Sequence, residues 1–225
     1  GDLKKLCQRA PLADAFRDLA RGNPNALRTA LGSSSAEAAE AAAYLTGLVG
    51  DPRLLDALGT ALQSDEPAVR REALLALKQF GGGRALELVA RAIHDPDPGV
   101  RLYALRHVVS HRYAPALARV AELLDREVQE DQRSMTERRL LFEAYGALGG
   151  SSVVEELSRR MRRRGGLFRK TDPEEIACVL VGLGATTAPA ARAILESALD
   201  DKQPLVSRTA RQVLDTWGAP VAWSA

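Results

Sequence analysis

The densest group of reactive side chains in this sequence is basic. The run from Ser158 to Lys170 holds Arg159, Arg160, Arg162, Arg163, Arg164, Arg169 and Lys170 and no acid. A guanidinium fork grips a carboxylate or phosphate through two parallel N–H bonds, so the run is a candidate site for phosphates, lipid headgroups, nucleic acid or an acidic partner. Cations are also favoured at a helix C-terminus, where the macrodipole is negative, but that accounts for two or three arginines rather than the whole set. Leu167 and Phe168 sit inside the run, behind Gly165-Gly166. Such a pair either inserts into a membrane surface or a partner's pocket, or folds back to pin its own loop. The segment Glu122–Asp131 has the opposite sign, with Glu122, Asp125, Glu127, Glu130 and Asp131 against Arg126. Pairing between the two segments is the structural alternative to an external anion.

Other chemistry is thin. His107 and His111 are four apart, a spacing that puts two imidazoles on one helix face as in a metal pair, but no third ligand is visible. The expectation for His107 is a satisfied, semi-buried histidine. Cys7 and Cys178 are far apart and fit thiols better than a disulfide, with Cys178 expected in the core. No Ser/His/Asp or Cys/His arrangement has a supporting context, and no glycine-rich phosphate loop follows a strand. The expected sets of catalytic residues, metal ligands and cofactors are therefore empty.

The elements that position these groups repeat. Asp65-Glu66-Pro67-Ala68-Val69-Arg70 and Pro96-Asp97-Pro98-Gly99-Val100-Arg101 are near-copies, with Ala42, Ala73 and Ala104 in one row at a spacing of 31. The preceding helices keep the same spacing in three further columns: Leu55, Leu86 and Leu117; Leu58, Val89 and Val120; Leu62, Ile93 and Leu124. An all-helical repeat of this length means stacked helix pairs. Pro67 and Pro98 suit the first turn of a helix, where a missing N–H costs nothing. The period breaks twice, from Ala104 to Ala144 (40 residues) and from Ala144 to Val179 (35), then returns. Both excesses fall between the helices of a pair, around Asp125–Thr136 and Arg163–Asp172. Corresponding loops of a solenoid share one edge, so the acidic and the basic insertion are expected side by side on one rim.

The Asp and Pro of the turns, Val69-Arg70, Val100-Arg101, Ala73 and Ala104 resemble HEAT repeats over about Ser33–Trp217, most strongly in the middle. The resemblance implies an all-α, right-handed α-solenoid of about six stacked antiparallel helix pairs. It also implies a ladder between neighbouring repeats, carried here by Asp65, Asp97, Arg70 and Arg101; Ala39 and Ser207 stand where the outer arginines would be. HEAT arrays are mostly protein-interaction scaffolds, and relatives include phycobilin lyase subunits and a group of alkylpurine DNA glycosylases. Their second helices line a concave face. Projected onto this sequence, that face carries Tyr44, Arg71, Leu75, Lys78, Leu102, Arg106, Phe142 and Arg208, with Tyr44 and Phe142 as anchors. Such a mixed surface suits a protein partner better than a phosphate backbone.

Apolar residues make up 46% of the 225 and aromatics only 4%, so Ala and Leu must do the packing. A net charge of +2 gives no global bias toward nucleic acid or membrane, and no apolar run is long enough to cross one. The expected organisation is a capping segment at 1–32, repeats at 33–217 and a tail at 218–225. Gly1 in place of Met suggests a piece excised from a longer protein, and the excess of Arg and Ala over Lys suggests a bacterial, GC-rich source. The expected role is a non-catalytic, cytoplasmic protein-interaction scaffold of larger context. Binding of nucleic acid or an anionic membrane through residues 159–170, and a lyase- or glycosylase-like enzyme, are the alternatives.

Overall fold

A computed structural model describes residues 10–127, 134–162 and 172–218. Among them every regular element is helical, and the architecture is an α-solenoid. The helices are α1 (Ala10–Gly22), α2 (Pro24–Leu31), α3 (Ala36–Val49), α4 (Leu55–Ala61), α5 (Pro67–Leu77), α6 (Gly83–Arg91) and α7 (Pro98–Ser110). They continue as α8 (Leu117–Glu127), α9 (Met135–Gly149), α10 (Val154–Arg162), α11 (Pro173–Thr186), α12 (Pro189–Ser197) and α13 (Pro204–Asp215). From α2 onward even-numbered helices are the first members of pairs and odd-numbered ones the second. The chain divides into two compact units, Gly1–Ala104 and Leu105–Ala225.

Local chemistry sets the helix ends. Proline opens α2, α5, α7, α11, α12 and α13, where its fixed φ is already helical. Side-chain caps hold other starts: Ser35 accepts from the Ala38 N–H, Ser134 from Glu137 and Asp172 from Glu174. Gly50 closes α3 in the left-handed region at φ 64°, and its N–H donates to the Thr46 carbonyl.

Three of the four columns read from the sequence are buried, while Leu55, Leu86 and Leu117 are half-buried. Ala42, Ala73 and Ala104 are buried, as are Leu58, Val89 and Val120, and Leu62, Ile93 and Leu124. Each buried leucine or valine adds roughly 1.5–3 kcal/mol relative to an exposed one. Within the first unit α2 packs on α3 and α4, and α3 packs on α5. Within the second, α9 packs on α11 and α11 on α13. The small column permits this: a Cβ built on Gly47 would lie 3.0 Å from the Ala76 Cα. The residues in excess of the period lie between α8 and α9 and between α10 and α11, where the segments 128–133 and 163–171 are outside the described residues.

Candidate functional site

Between the second and third pairs a buried ion pair fixes two turns. Arg70, on α5, donates from Nε to Asp95 Oδ2 (2.7 Å) and from Nη2 to Asp95 Oδ1 (2.8 Å). Its Nη1 donates to the carbonyls of Ser64 (2.8 Å) and Asp65 (3.0 Å). Both side chains are more than nine-tenths buried, and hydrogen bonding to Asp95 raises the Arg70 pKa further above its ordinary value. Arg101 likewise donates to the carbonyls of Asp95 and Pro96.

This corrects the expected ladder. The carboxylate that pairs with Arg70 belongs to Asp95, not to Asp65 or Asp97. Asp97 instead caps α7 through the Val100 N–H (2.9 Å) and lies 3.8 Å from Arg71. Asp65 has its side chain in solvent. The physical reason is reach: one turn into its helix, a guanidinium meets the carbonyls of its own turn and a carboxylate 25 residues further on. The signal was present, because Ala39 and Ser64 stand at the same offset. Where the arginine is missing, its acceptor is missing too.

The braced turns enclose an open groove of about 680 Å³. Gly59, Leu62, Leu88 and Ala92 line it, together with the turn residues Ser64, Asp65 and Pro67 and those from His94 to Pro98. Sequence reading missed this feature because it belongs to no single turn.

Three of the residues projected onto the inner face lie on α5 or at its C-terminal end. Arg71, Leu75 and Lys78 are exposed, and Leu75 is 39% exposed on a helix whose other leucines are buried. Tyr44 on α3 and Leu102 on α7 are half-buried. In the second unit Arg106 and Arg208 are exposed. Phe142 departs from expectation: it is 4% exposed and presents no anchor. The cause is a close approach of α9 and α11, with a Cβ built on Gly182 only 2.8 Å from the Phe142 carbonyl oxygen and 3.3 Å from its Cβ. The benzyl group is packed beneath the neighbouring helix.

Beside Phe142, Glu143 is half-buried, and burial pushes its carboxyl above the ordinary 4.5 despite opposing fields from Arg139 and Arg106. The folded state therefore holds this proton more tightly than the unfolded chain does. Its charge costs stability at neutral pH, and that stability returns as pH falls through the raised folded value toward 4.5. Glu143→Gln is expected to raise the melting temperature at neutral pH and to flatten this part of the pH profile. Parallel thermal melts of the two proteins at neutral and mildly acidic pH check it.

On the rim, Arg160 is corrected as an anion ligand. Its side chain is 10% exposed and pairs with Asp125 at the end of α8 and with Glu156 one turn back. Arg159 pairs with Glu155 and Glu156. Where the structure describes them, the acidic and basic stretches meet through Arg160 and Asp125, and this pair ties together the helices that lead into the two insertions. Arg162 is exposed, while Arg163, Arg164, Leu167, Phe168, Arg169 and Lys170 lie outside the described residues.

His107 is buried, as expected, and stacks on His111 at 4.3 Å between ring centroids. The His111 Nδ1 lies 2.9 Å from the His107 carbonyl oxygen, so the pair closes the helix end. Cys178 is in the core. Among the described residues no group of three or more His, Cys, Asp or Glu is arranged to hold a metal ion, and no helix is long and apolar enough to cross a membrane.

Stacked helix pairs, columns of small residues and an arginine that braces successive turns define an α-solenoid of the repeat type. Residues 24–110 match the family model of HEAT repeats. A comparison with curated proteins gave no match. Among solved structures the chain is similar to human deoxyhypusine hydroxylase in complex with glycerol, at 20% identity and a TM-score of 0.35, covering 96% of each chain. That overlay is too loose for any residue role to be carried across.

Proposed function

We propose that the chain is a non-catalytic protein-interaction scaffold that takes its partner on the inner face of the second helices. HEAT repeats generally serve protein–protein interaction. The observation that carries the reading is the exposed Leu75 between exposed Arg71 and Lys78 on α5, with half-buried Tyr44 and Leu102 at the equivalent positions of the neighbouring repeats. An exposed apolar residue between two cations has the make-up of an interface core with a polar rim. The reading assumes a bacterial, cytoplasmic setting.

A photo-crosslinking residue placed at Leu75 in cells tests it. A defined protein adduct is expected there and not from Thr60, exposed on the first helix of the same pair. Charge reversal at Arg71 and Lys78 is expected to abolish the adduct. Equal labelling from both positions would count against the inner face. Nucleic-acid or membrane binding through the basic run is less favoured, since Arg159 and Arg160 are already paired within the chain.

A further inference from the structure

We propose that the groove between the second and third turns is a separate binding site for a peptide segment presenting an arginine or lysine side chain. Its floor is apolar, formed by Leu62, Leu88 and Ala92. Carboxylates stand on both turns above it: Asp65, exposed on one, and Asp97, partly exposed on the other. A long basic side chain is the complement of such a surface, because its methylene stem covers apolar area while its charged head stays at the rim. The volume of about 680 Å³ accommodates that side chain with the backbone carrying it.

The charge balance of the lining favours a cation. Arg70 is consumed by its bidentate pair with Asp95, so neither is offered to a ligand. Arg91 pairs with Glu87 at 3.4 Å. Asp97 already attracts one cation, Arg71 at 3.8 Å, a separation too long for a hydrogen bond. The Asp65 side chain makes no hydrogen bond or ion pair among the described residues. His94, on the same wall, has an interaction of its own, and its protonation would oppose the ligand. The site is also preorganised. Arg70 holds the Ser64 and Asp65 carbonyls and the Asp95 side chain at once, so the two turns keep their separation without a ligand.

This site is independent of the inner-face reading: it lies at the turns between helices, and its lining includes none of Tyr44, Arg71, Leu75, Lys78 or Leu102. The test uses the full chain, isotopically labelled, titrated with an acetylated pentapeptide holding one central arginine among glycines and serines. Peptides with norleucine or glutamate at the centre are controls. Saturable amide shifts are expected at Gly59, Asp65, Leu88 and Asp97 with the arginine peptide, reduced with norleucine and absent with glutamate. Asp65→Asn is expected to weaken binding about fivefold, the upper end for an exposed ion pair, and added salt to weaken it further. Ser64→Trp, which fills the groove from a half-exposed position, is expected to abolish the shifts; the remaining spectrum reports whether the fold is kept. Equal shifts with arginine and glutamate, or shifts confined to α5 residues 71–78, would overturn the proposal. Loss of the Leu75 crosslink would leave it standing.

Discussion

Replacing Arg70 with alanine is expected to lower stability by about 3–5 kcal/mol, the usual cost of removing one partner from a buried ion pair. The Asp95 carboxylate would stay buried without its counter-ion, and the Ser64 and Asp65 carbonyls would lose their donor. The expected fall in melting temperature is on the order of 10 °C for a chain of this size. Hydrogen exchange locates the effect, with protection lost in α5 and α6 before α9 and α11. Replacing Arg70 and Asp95 together by apolar residues of similar volume is expected to cost much less, because no charge is then stranded. If the single variant melts like the parent, the pair does not brace the turns, and the preorganisation assigned to the groove fails with it.

The second large effect is expected at Gly146. A Cβ built there lies 1.9 Å from the Gly182 carbonyl oxygen, and backbone cannot rotate out of the way. Gly146→Ala must part α9 from α11, at a cost of about 3 kcal/mol, the upper end of an overpacking penalty. Gly184→Ala is the informative control. Its Cβ would meet Val213 Cγ1 at 2.2 Å, a side-chain clash relieved by a rotamer change of about 1 kcal/mol. Urea midpoints for the two variants should therefore separate clearly. Equal midpoints would mean that the helices slide apart without penalty.

What was legible in the sequence follows from periodicity. Ala73 and Ala104 share a neighbourhood because each sits at the same height on a second helix, and the 31-residue spacing records that directly. The burial of Leu58, Val89 and Val120 has the same origin. The misread positions are those where a contact depends on something other than the period. Asp95 and Asp97 are two residues apart in an Asp-Pro-Asp-Pro turn. Chain chemistry makes either an acceptor, and only the path of the Arg70 side chain decides between them. Phe142 stands in the right row for an exposed inner face, but Gly146 and Gly182 let α11 close over it, and they pair across a broken spacing. For Arg160 the sequence left an external anion and the acidic segment both open, because periodicity cannot tell whether Asp125, 35 residues away across an insertion, comes within reach. The exposed run Arg71, Leu75 and Lys78 was legible because it needs only helical geometry.

The bond between Arg70 and Asp95 joins residues 25 apart within a 31-residue repeat. Residues 65–95 therefore form a closed tile that contains both the donor and its acceptor. Tandem duplication of that tile would give every copy its own brace. The array can thus be lengthened at this point without stranding the buried arginine or its carboxylate. A copy of the preceding stretch, by contrast, would carry Ala39 and Ser64 and bring no such brace with it. The third turn is therefore a place where the array can grow, and a variant with one inserted tile would carry two buried braces in succession.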